Sequence, residues 1–527
     1  MSALMQLLLL YALVTAVHGM GLRAAGVPRA CLLALPWRGV LLSALAALGI
    51  ALAEAMLKVL GLSGGASFVC ALAAALAGVY AAGLAAVGES GGSVLRRGAQ
   101  VADTADRASV SALQGIARLW RVTRGEAARV APPEVPGLSI GGIAIPEADE
   151  PKHFKFIGTT GTGKSTAIQA LLEKALARGD RAVIADPDGG YLARTYEPQR
   201  GDLILNPFDA RSGVWQPFQE LHEPHDAREL ARALIGSASG EAAAWHGYAE
   251  TFLAALLERL KLLPQPSVDE LYRALATAPL TELRVILQGT SAAPLVESGN
   301  ERMFGSVRSI AMSRLAALPV IQRQSGVHCS VRQWVRDGSG VLYLPYKANQ
   351  IATLRHLVSA WMRLANFETM ALGEGDRRLW FVVDELDALG AIDGLKDALA
   401  RLRKFGGRCV LGFQSIAQVS GTYGEADART IVENCATTLI LRTSASEGGG
   451  TARFASQLIG QREVERVQET RSRDERDGRA RVSHARQVAL ELALLPAEIE
   501  ALPDLEGYLK LASDPVWRRI RLTPRRS

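Results

Sequence analysis

The sequence predicts an α/β fold: a mostly parallel sheet, an all-helical domain inserted into it, and a transmembrane helical hairpin at the N-terminus. Three observations carry this. Beyond residue 153 short β-rich runs alternate with segments of helical spacing, the pattern of a parallel sheet. A glycine-rich loop joins the first of those runs to its helix. Ahead of both lie two nearly uncharged stretches, each long enough to cross a bilayer.

The N-terminal part accounts for the apolar bias of the chain. Of 527 residues 49% are hydrophobic and 21% charged, and charges are scarce through residues 1–90, the expected membrane anchor. Residues 40–62 and 67–88 are the two spans, separated by Ser63-Gly64-Gly65-Ala66. Arg23, Arg29 and Arg38 precede them, and Arg96, Arg97 and Arg107 follow. Positive residues stay on the cytoplasmic side, so both flanks are expected there and the tip outside. Glu54 and Lys58, one helical turn apart in the first span, offset each other's burial. Residues 3–22 form a further apolar run, which leaves two or three spans. The competing reading is a pair of buried helices in an alanine-rich soluble bundle. A net charge of +6 is compatible with nucleic acid or anionic lipid and demonstrates neither. The five cysteines have no CxxC pair and read as free thiols of a reducing compartment.

Residues 91–135 turn polar and basic and read as a linker, closed by a Pro/Gly-punctuated entrance to the next domain. A nucleotide-binding domain is expected in two parts, 136–211 and 331–527, with 212–330 as the inserted helical domain. Its strands are expected at 153–157, 181–185, 340–344, 379–383, 408–412 and 438–441. Helices are expected at 164–178 and, in the insertion, at 227–235, 248–262, 268–276 and 303–317. Residues 468–483 are dense in Arg, Asp and Glu and read as a mobile, solvated segment or a plain surface loop. Arg518, Arg519, Arg521, Arg525 and Arg526 read as a basic tail suited to nucleic acid or lipid, or as a charged β-edge.

Gly158-Thr159-Thr160-Gly161-Thr162-Gly163-Lys164-Ser165 is a complete phosphate-loop pattern in its required setting, after an apolar strand and before a helix. The glycines let successive backbone N–H groups turn towards phosphate oxygens, and the helix adds its positive end. These eight residues with Thr166 form the candidate ATP site. Lys164 is placed to reach the β- and γ-phosphates, and the Ser165 hydroxyl to ligate Mg²⁺. Downstream, the apolar run Leu379-Trp380-Phe381-Val382-Val383 ends in Asp384-Glu385, at the edge where ligands of parallel sheets gather. Asp384 is the candidate to hold Mg²⁺ through water, and Glu385 to polarise the attacking water. A strand-ending acid pair is common; the phosphate loop gives this one its weight. Gln414, ending Leu411-Gly412-Phe413, suits the sensing of the γ-phosphate. Among Arg401, Arg403 and Lys404, on the intervening helix, one is a candidate to reach the ATP of a neighbouring subunit. The plainer reading is a solvated helix face.

Together with Arg181-Ala182-Val183-Ile184-x-Asp186-Pro187-x-Gly189 and Asp202-x-Ile204-Leu205-Asn206-Pro207-Phe208-Asp209-x-Arg211-Ser212, these motifs resemble the type IV coupling proteins of conjugative DNA transfer. Those are inner-membrane members of the hexameric DNA-pumping P-loop ATPases, and the resemblance covers most of residues 140–515. It implies a RecA-like P-loop NTPase fold and an ATP hydrolase working with Mg²⁺ as a homo-hexamer. It also implies a place in the bacterial inner membrane, with the ATPase domains in the cytoplasm. The partners it implies are DNA passing through the ring, a relaxase, and the type IV secretion channel. It singles out Arg403 as the trans-acting arginine and Gln414 as the sensor. One departure is the very short stretch between the two spans, where members of the family carry a longer periplasmic loop. DNA contacts have no motif; Lys347, Lys396 and the helical insertion are the candidates. Two other functions fit the same motifs: an ATPase powering protein secretion or channel assembly, and a membrane receptor using ATP only to hold its ring together. A chromosome motor would add a C-terminal winged helix, for which the stretch after Gly507 leaves little room.

Overall fold

The protein is described by a computed structural model over residues 94–102, 137–238, 240–446, 449–473 and 480–523. The apolar runs 3–22, 40–62 and 67–88 and most of the linker lie outside the described residues. No helix among the described residues is long and apolar enough to cross a membrane. The chain divides into two compact units, with residues 461–492 grouped apart from the bulk of residues 128–527.

A ten-stranded sheet organises the larger unit. In chain order its strands are β1 (Gln100–Ala102), β2 (Phe154–Ile157), β3 (Arg181–Pro187), β4 (Leu203–Ile204) and β5 (Val341–Tyr346). They continue with β6 (Leu379–Val383), β7 (Gly407–Phe413), β8 (Thr437–Ile440), β9 (Glu506–Lys510) and β10 (Val516–Arg521). Their spatial order is β1-β10-β9-β8-β2-β7-β6-β3-β5-β4. Every pairing from β8 across to β4 is parallel, while β9 runs antiparallel to both β8 and β10.

Strands β2, β6 and β7 are buried along their whole length, as parallel strands covered on both faces must be. Alternation along β6 divides two cores. Trp380 and Val382 join Ile168 and Leu171 of helix α1 (Lys164–Ala177). Phe381 and Val383 join the core that contains α2 (Asp226–Ile235) and the long helices that follow. Between β4 and β5 the chain is mostly helical, with α2, α3 (Glu241–Lys261), α4 (Val268–Ala276) and α5 (Glu301–Arg314). Leu230, Phe252, Leu256, Leu271 and Val307 are fully buried among them, and Ser267 caps α4 through the Glu270 N–H. Val214–Trp215 and His328–Cys329 pair in parallel where this helical stretch leaves and rejoins the sheet. Buried Glu220 ties that junction, accepting from the Trp215 indole, the Ser330 hydroxyl and the N–H groups of Val331 and Arg332. After β5, helix α6 (Ile351–Ala371) is buried nearly all round.

One expectation changes and another is resolved. Residues 468–473 and 480–483 are strand: Gln461–Arg473 and Ala480–Leu492 are two long paired strands, and Val94–Gly98 completes a three-stranded antiparallel sheet in the smaller unit. Nearer the other end of these strands, Arg97 pairs with Glu463, and Arg462 and Arg466 with Glu491. Of the two readings of Arg518, Arg519 and Arg521 the strand holds: they belong to β10, with Arg518 on Asp514 and Arg519 on Glu506. Arg525 and Arg526 lie outside the described residues.

Candidate active site

Strand order assembles the site. Because β7 lies between β2 and β6, the ends of the three strands meet: Phe413 is level with Ile157, and Leu411 with Val383. Each strand continues into one arm, β2 into the glycine loop, β7 into Gln414, and β6 into Asp384-Glu385. The approach of β7 to β6 requires Gly412, since a Cβ there would sit 2.3 Å from the Asp384 carbonyl oxygen.

The loop is held from outside and from within. Thr159 donates its N–H and its hydroxyl to the Arg442 carbonyl, at 3.0 and 3.2 Å. The Thr162 hydroxyl donates to the Thr159 carbonyl at 2.7 Å, and the Leu505 N–H to the Thr162 carbonyl at 2.9 Å. Gly163, at φ +110°, turns the chain into α1 in a conformation that a side chain would resist.

Behind the loop the charges converge. The Ser165 hydroxyl donates to Asp384 Oδ2 at 2.5 Å, and Lys164 Nζ lies 3.9 Å from Asp384 Oδ1. Lys164 Nζ and Asp384 Oδ1 are both buried without a hydrogen-bond partner, which native interiors seldom tolerate. An ammonium and a carboxylate oxygen left in this state beside the glycine loop fit a phosphate chain and a divalent cation. Gln414 bridges the other two arms: its Nε2 donates to Glu385 Oε1 at 2.9 Å, and its Oε1 accepts from the Thr160 hydroxyl at 2.9 Å. Thr166 follows in the first turn of α1 and is half-buried.

The structure thus brings together Lys164, Ser165, Asp384, Glu385 and Gln414, and leaves Arg403 apart. Arg401 ends the helix Leu395–Arg401, whereas Arg403 lies on the 3-10 turn Leu402–Phe405, ahead of β7. That is the opposite edge of the sheet from the loop. There Arg403 is exposed and stands near His153. Lys396 is engaged by Asp427 at 2.7 Å, and Lys347 lines a cavity of about 270 Å³ with Asn206, Arg211 and Tyr346.

Two residues of the site escaped the sequence. The Tyr191 hydroxyl donates to Asp384 Oδ2 at 2.9 Å, and burial beside that carboxylate pushes the phenol well above its ordinary pKa. Asp186 accepts the N–H groups of Tyr191 and Leu192 at 3.0 and 2.7 Å, and its burial pushes the carboxyl up to about 6. The Asp186-Pro187-x-Gly189 motif marked the neighbourhood, but nothing local shows that Tyr191 meets an acid 193 residues on.

A family model described as the type IV secretion-system coupling protein DNA-binding domain matches residues 137–523. The chain belongs to the type IV coupling protein family. This coupling protein is 31% identical to coupling protein TraD of Escherichia coli (strain K12) over 382 residues, which cover 71% of this chain and 53% of that protein. It therefore spans about half the length of that relative. A type IV secretion system-coupling protein VirD4 from Bartonella quintana (strain Toulouse) matches at 35% over 108 residues, 20% of this chain and 16% of that protein. Among solved structures, the unbound conjugative coupling protein TrwBdeltaN70 aligns with a TM-score of 0.69 at 29% identity, over 82% of this chain and 94% of that one. TrwB bound to ADP and Mg²⁺ aligns at 0.67 with 30% identity, over 82% of this chain and 95% of that one. TrwB with the ATP analogue ADPNP gives the same TM-score at 29% identity, again over 82% of this chain and 95% of that one. With the large, mostly parallel sheet, these likenesses show an α/β NTPase fold.

Proposed function

We propose that this coupling protein is a RecA-like, ATP-dependent DNA translocase of the bacterial inner membrane that passes relaxase-bound, single-stranded DNA to a type IV secretion channel. The observation that carries the reading is the convergence of Lys164, Ser165, Asp384, Glu385 and Gln414, with Lys164 Nζ and Asp384 Oδ1 buried and unmatched. The nucleotide complexes of TrwB support it.

In this reading Lys164 and the amides of Thr160, Gly161 and Gly163 hold the phosphates of ATP, and Ser165 and Asp384 hold Mg²⁺. The bound cation supplies neutralisation of phosphate charge. Glu385, oriented by Gln414, polarises the attacking water. Gln414 also touches Thr160, so a shift of the loop is felt at the base. Strand β7 extends for roughly 20 Å between Arg403 and the phosphate loop of its own subunit. Its own subunit's site is out of reach, which fits the reading in which Arg403 serves a neighbour's site in a homo-hexameric ring with nucleotide at the subunit interfaces. On α3 the exposed rings of Trp245 and Tyr248 stand 6.1 Å apart, and the adjacent His246 accepts from Arg314 at 3.2 Å. Aromatic faces beside a cation suit stacking of unpaired bases without sequence reading. Residues 1–90 serve as the anchor, 91–135 as the basic linker, and 212–330 as the domain facing the DNA-processing complex.

The test is ATP hydrolysis by the purified full chain, with and without single- and double-stranded DNA, across protein concentrations. Cooperative stimulation, stronger with single strands, is expected. Hydrolysis indifferent to DNA would refute the translocase and favour an ATPase for protein secretion.

A further inference from the structure

We propose that Tyr191 is the positioning residue that fixes Asp384 for the divalent cation of the nucleotide site; this rests on the nucleotide-site reading above.

The backbone delivers Tyr191 in a definite way. Strand β3 lies beside β6 with Ala185 level with Val383, which places Asp186 level with Asp384 at the sheet edge. Past Pro187 the chain reverses through Asp188 and Gly189, both left-handed at φ +57° and +71°. The buried Asp186 carboxylate then catches the N–H groups of Tyr191 and Leu192. This pins the returning segment above the end of β3. The Tyr191 ring, 2% exposed, packs in the core of Ile168, Ile184 and Tyr343, and its hydroxyl emerges at Asp384 Oδ2.

The division of labour at Asp384 follows from its contacts. Oδ2 accepts two donors, Ser165 Oγ at 2.5 Å and Tyr191 OH at 2.9 Å. Oδ1 has no hydrogen bond and faces Lys164 Nζ at 3.9 Å. Ser165 is itself a candidate ligand, so its orientation answers to the cation. Tyr191 is not a candidate ligand, and its ring is fixed in the core, so its bond to the carboxylate does not depend on a ligand role. Without the phenol, one donor fewer resists rotation of Asp384 and closure of the gap to Lys164. An ion pair there competes directly with the cation. Loss of such an outer partner of a metal-holding group typically weakens metal binding by about 10- to 100-fold.

Tyr191→Phe keeps the ring and removes only the donor. Binding of a fluorescent ADP to the full chain is titrated with Mg²⁺ and, separately, measured in EDTA. The expected result is a rise of about 10- to 100-fold in the Mg²⁺ concentration at half effect, with metal-free ADP affinity and melting temperature as in the wild type. Asp186→Asn, which loosens the turn, is expected to shift the Mg²⁺ midpoint in the same direction by less. Ser165→Ala is the control for the metal site. If it shifts the midpoint and Tyr191→Phe does not, this proposal is overturned and the site stands. An equal fall in metal-free ADP affinity for Tyr191→Phe would show a merely structural role and also overturn it. Wild-type binding indifferent to Mg²⁺ would remove the metal site itself, and the proposal with it.

Discussion

Replacing Gly412 with alanine tests whether strand packing holds the acidic arm of the site in place. The added Cβ would lie 2.3 Å from the Asp384 carbonyl oxygen and 3.0 Å from both its carbonyl carbon and its Oδ1. The nearest atom is backbone, so no side-chain rotation relieves the clash. The carbonyl must retreat by about 1 Å to reach ordinary contact. It is not free to do so alone, because the Leu386 N–H donates to the Gly412 carbonyl at 2.9 Å, and the two strands must part together. Overpacking of this kind costs about 1–3 kcal/mol. The same displacement breaks the 2.5 Å contact between Ser165 and Asp384. Urea denaturation should therefore show that loss, and Mg²⁺-dependent ADP binding should fall more than binding in EDTA. Gly305→Ala sets the opposite sign: it lies within α5 with nothing within 4 Å of an added Cβ. It should gain about 0.5–1 kcal/mol, because alanine loses less backbone entropy on entering a helix. Wild-type stability and Mg²⁺ response in Gly412→Ala, or a shift of the same sign in both variants, would refute the close-approach argument.

Lys164→Ala should lose hydrolysis through weakened nucleotide binding, whereas Glu385→Gln should retain ATP and turn over about 10²- to 10⁴-fold more slowly; normal turnover in Glu385→Gln removes that residue as the base. Arg403→Ala should be inactive alone, yet mixed in equal amounts with Lys164→Ala it should regain about a quarter of wild-type turnover, because half the subunits keep the lysine and half their neighbours the arginine. No recovery in the mixture means that the arginine does not act across an interface. At His153 the Cys409 N–H donates to Nδ1 at 3.0 Å, so Nε2 carries the hydrogen that faces the Leu399 carbonyl at 2.9 Å. Burial first, then Arg403 and Arg408, push this imidazole down from 6.5 to about 4. A depressed base contributes fully above its unfolded pKa, so stability on the order of 3 kcal/mol should be lost as pH falls from about 6.5 to about 4. Urea midpoints across that window should decline, and His153→Gln should flatten the decline.

The proposed phosphate-binding residues were legible because their chemistry is contiguous. Eight consecutive positions specify the loop, and the acids stand at the end of an uninterrupted apolar run. Strand β6 and helix α4 have the bounds that the sequence suggested, because β6 is buried on both faces and α4 carries a strong apolar face and a capping serine. Strands β1 and β4 were missed: with three and two residues, they are too short for any periodicity. Residues 468–483 were read as a loop, and Arg518, Arg519 and Arg521 were left between a basic tail and a charged β-edge, for a different reason. The arginines of these strands look solvated in one dimension, and the acids that pair with Arg462, Arg466, Arg518 and Arg519 stand on adjacent strands or turns.

By itself, then, the sequence determined where the glycine loop lies and which acids follow a buried strand, because loop shape and burial are written in neighbouring residues. The tertiary structure alone decided that β7 lies between β2 and β6, so that Gln414 spans Thr160 and Glu385. It also decided that Tyr191 meets Asp384, and that Arg403 stands at the far edge from its own loop. These are consequences of strand order and register, which join residues hundreds of positions apart and leave no local trace.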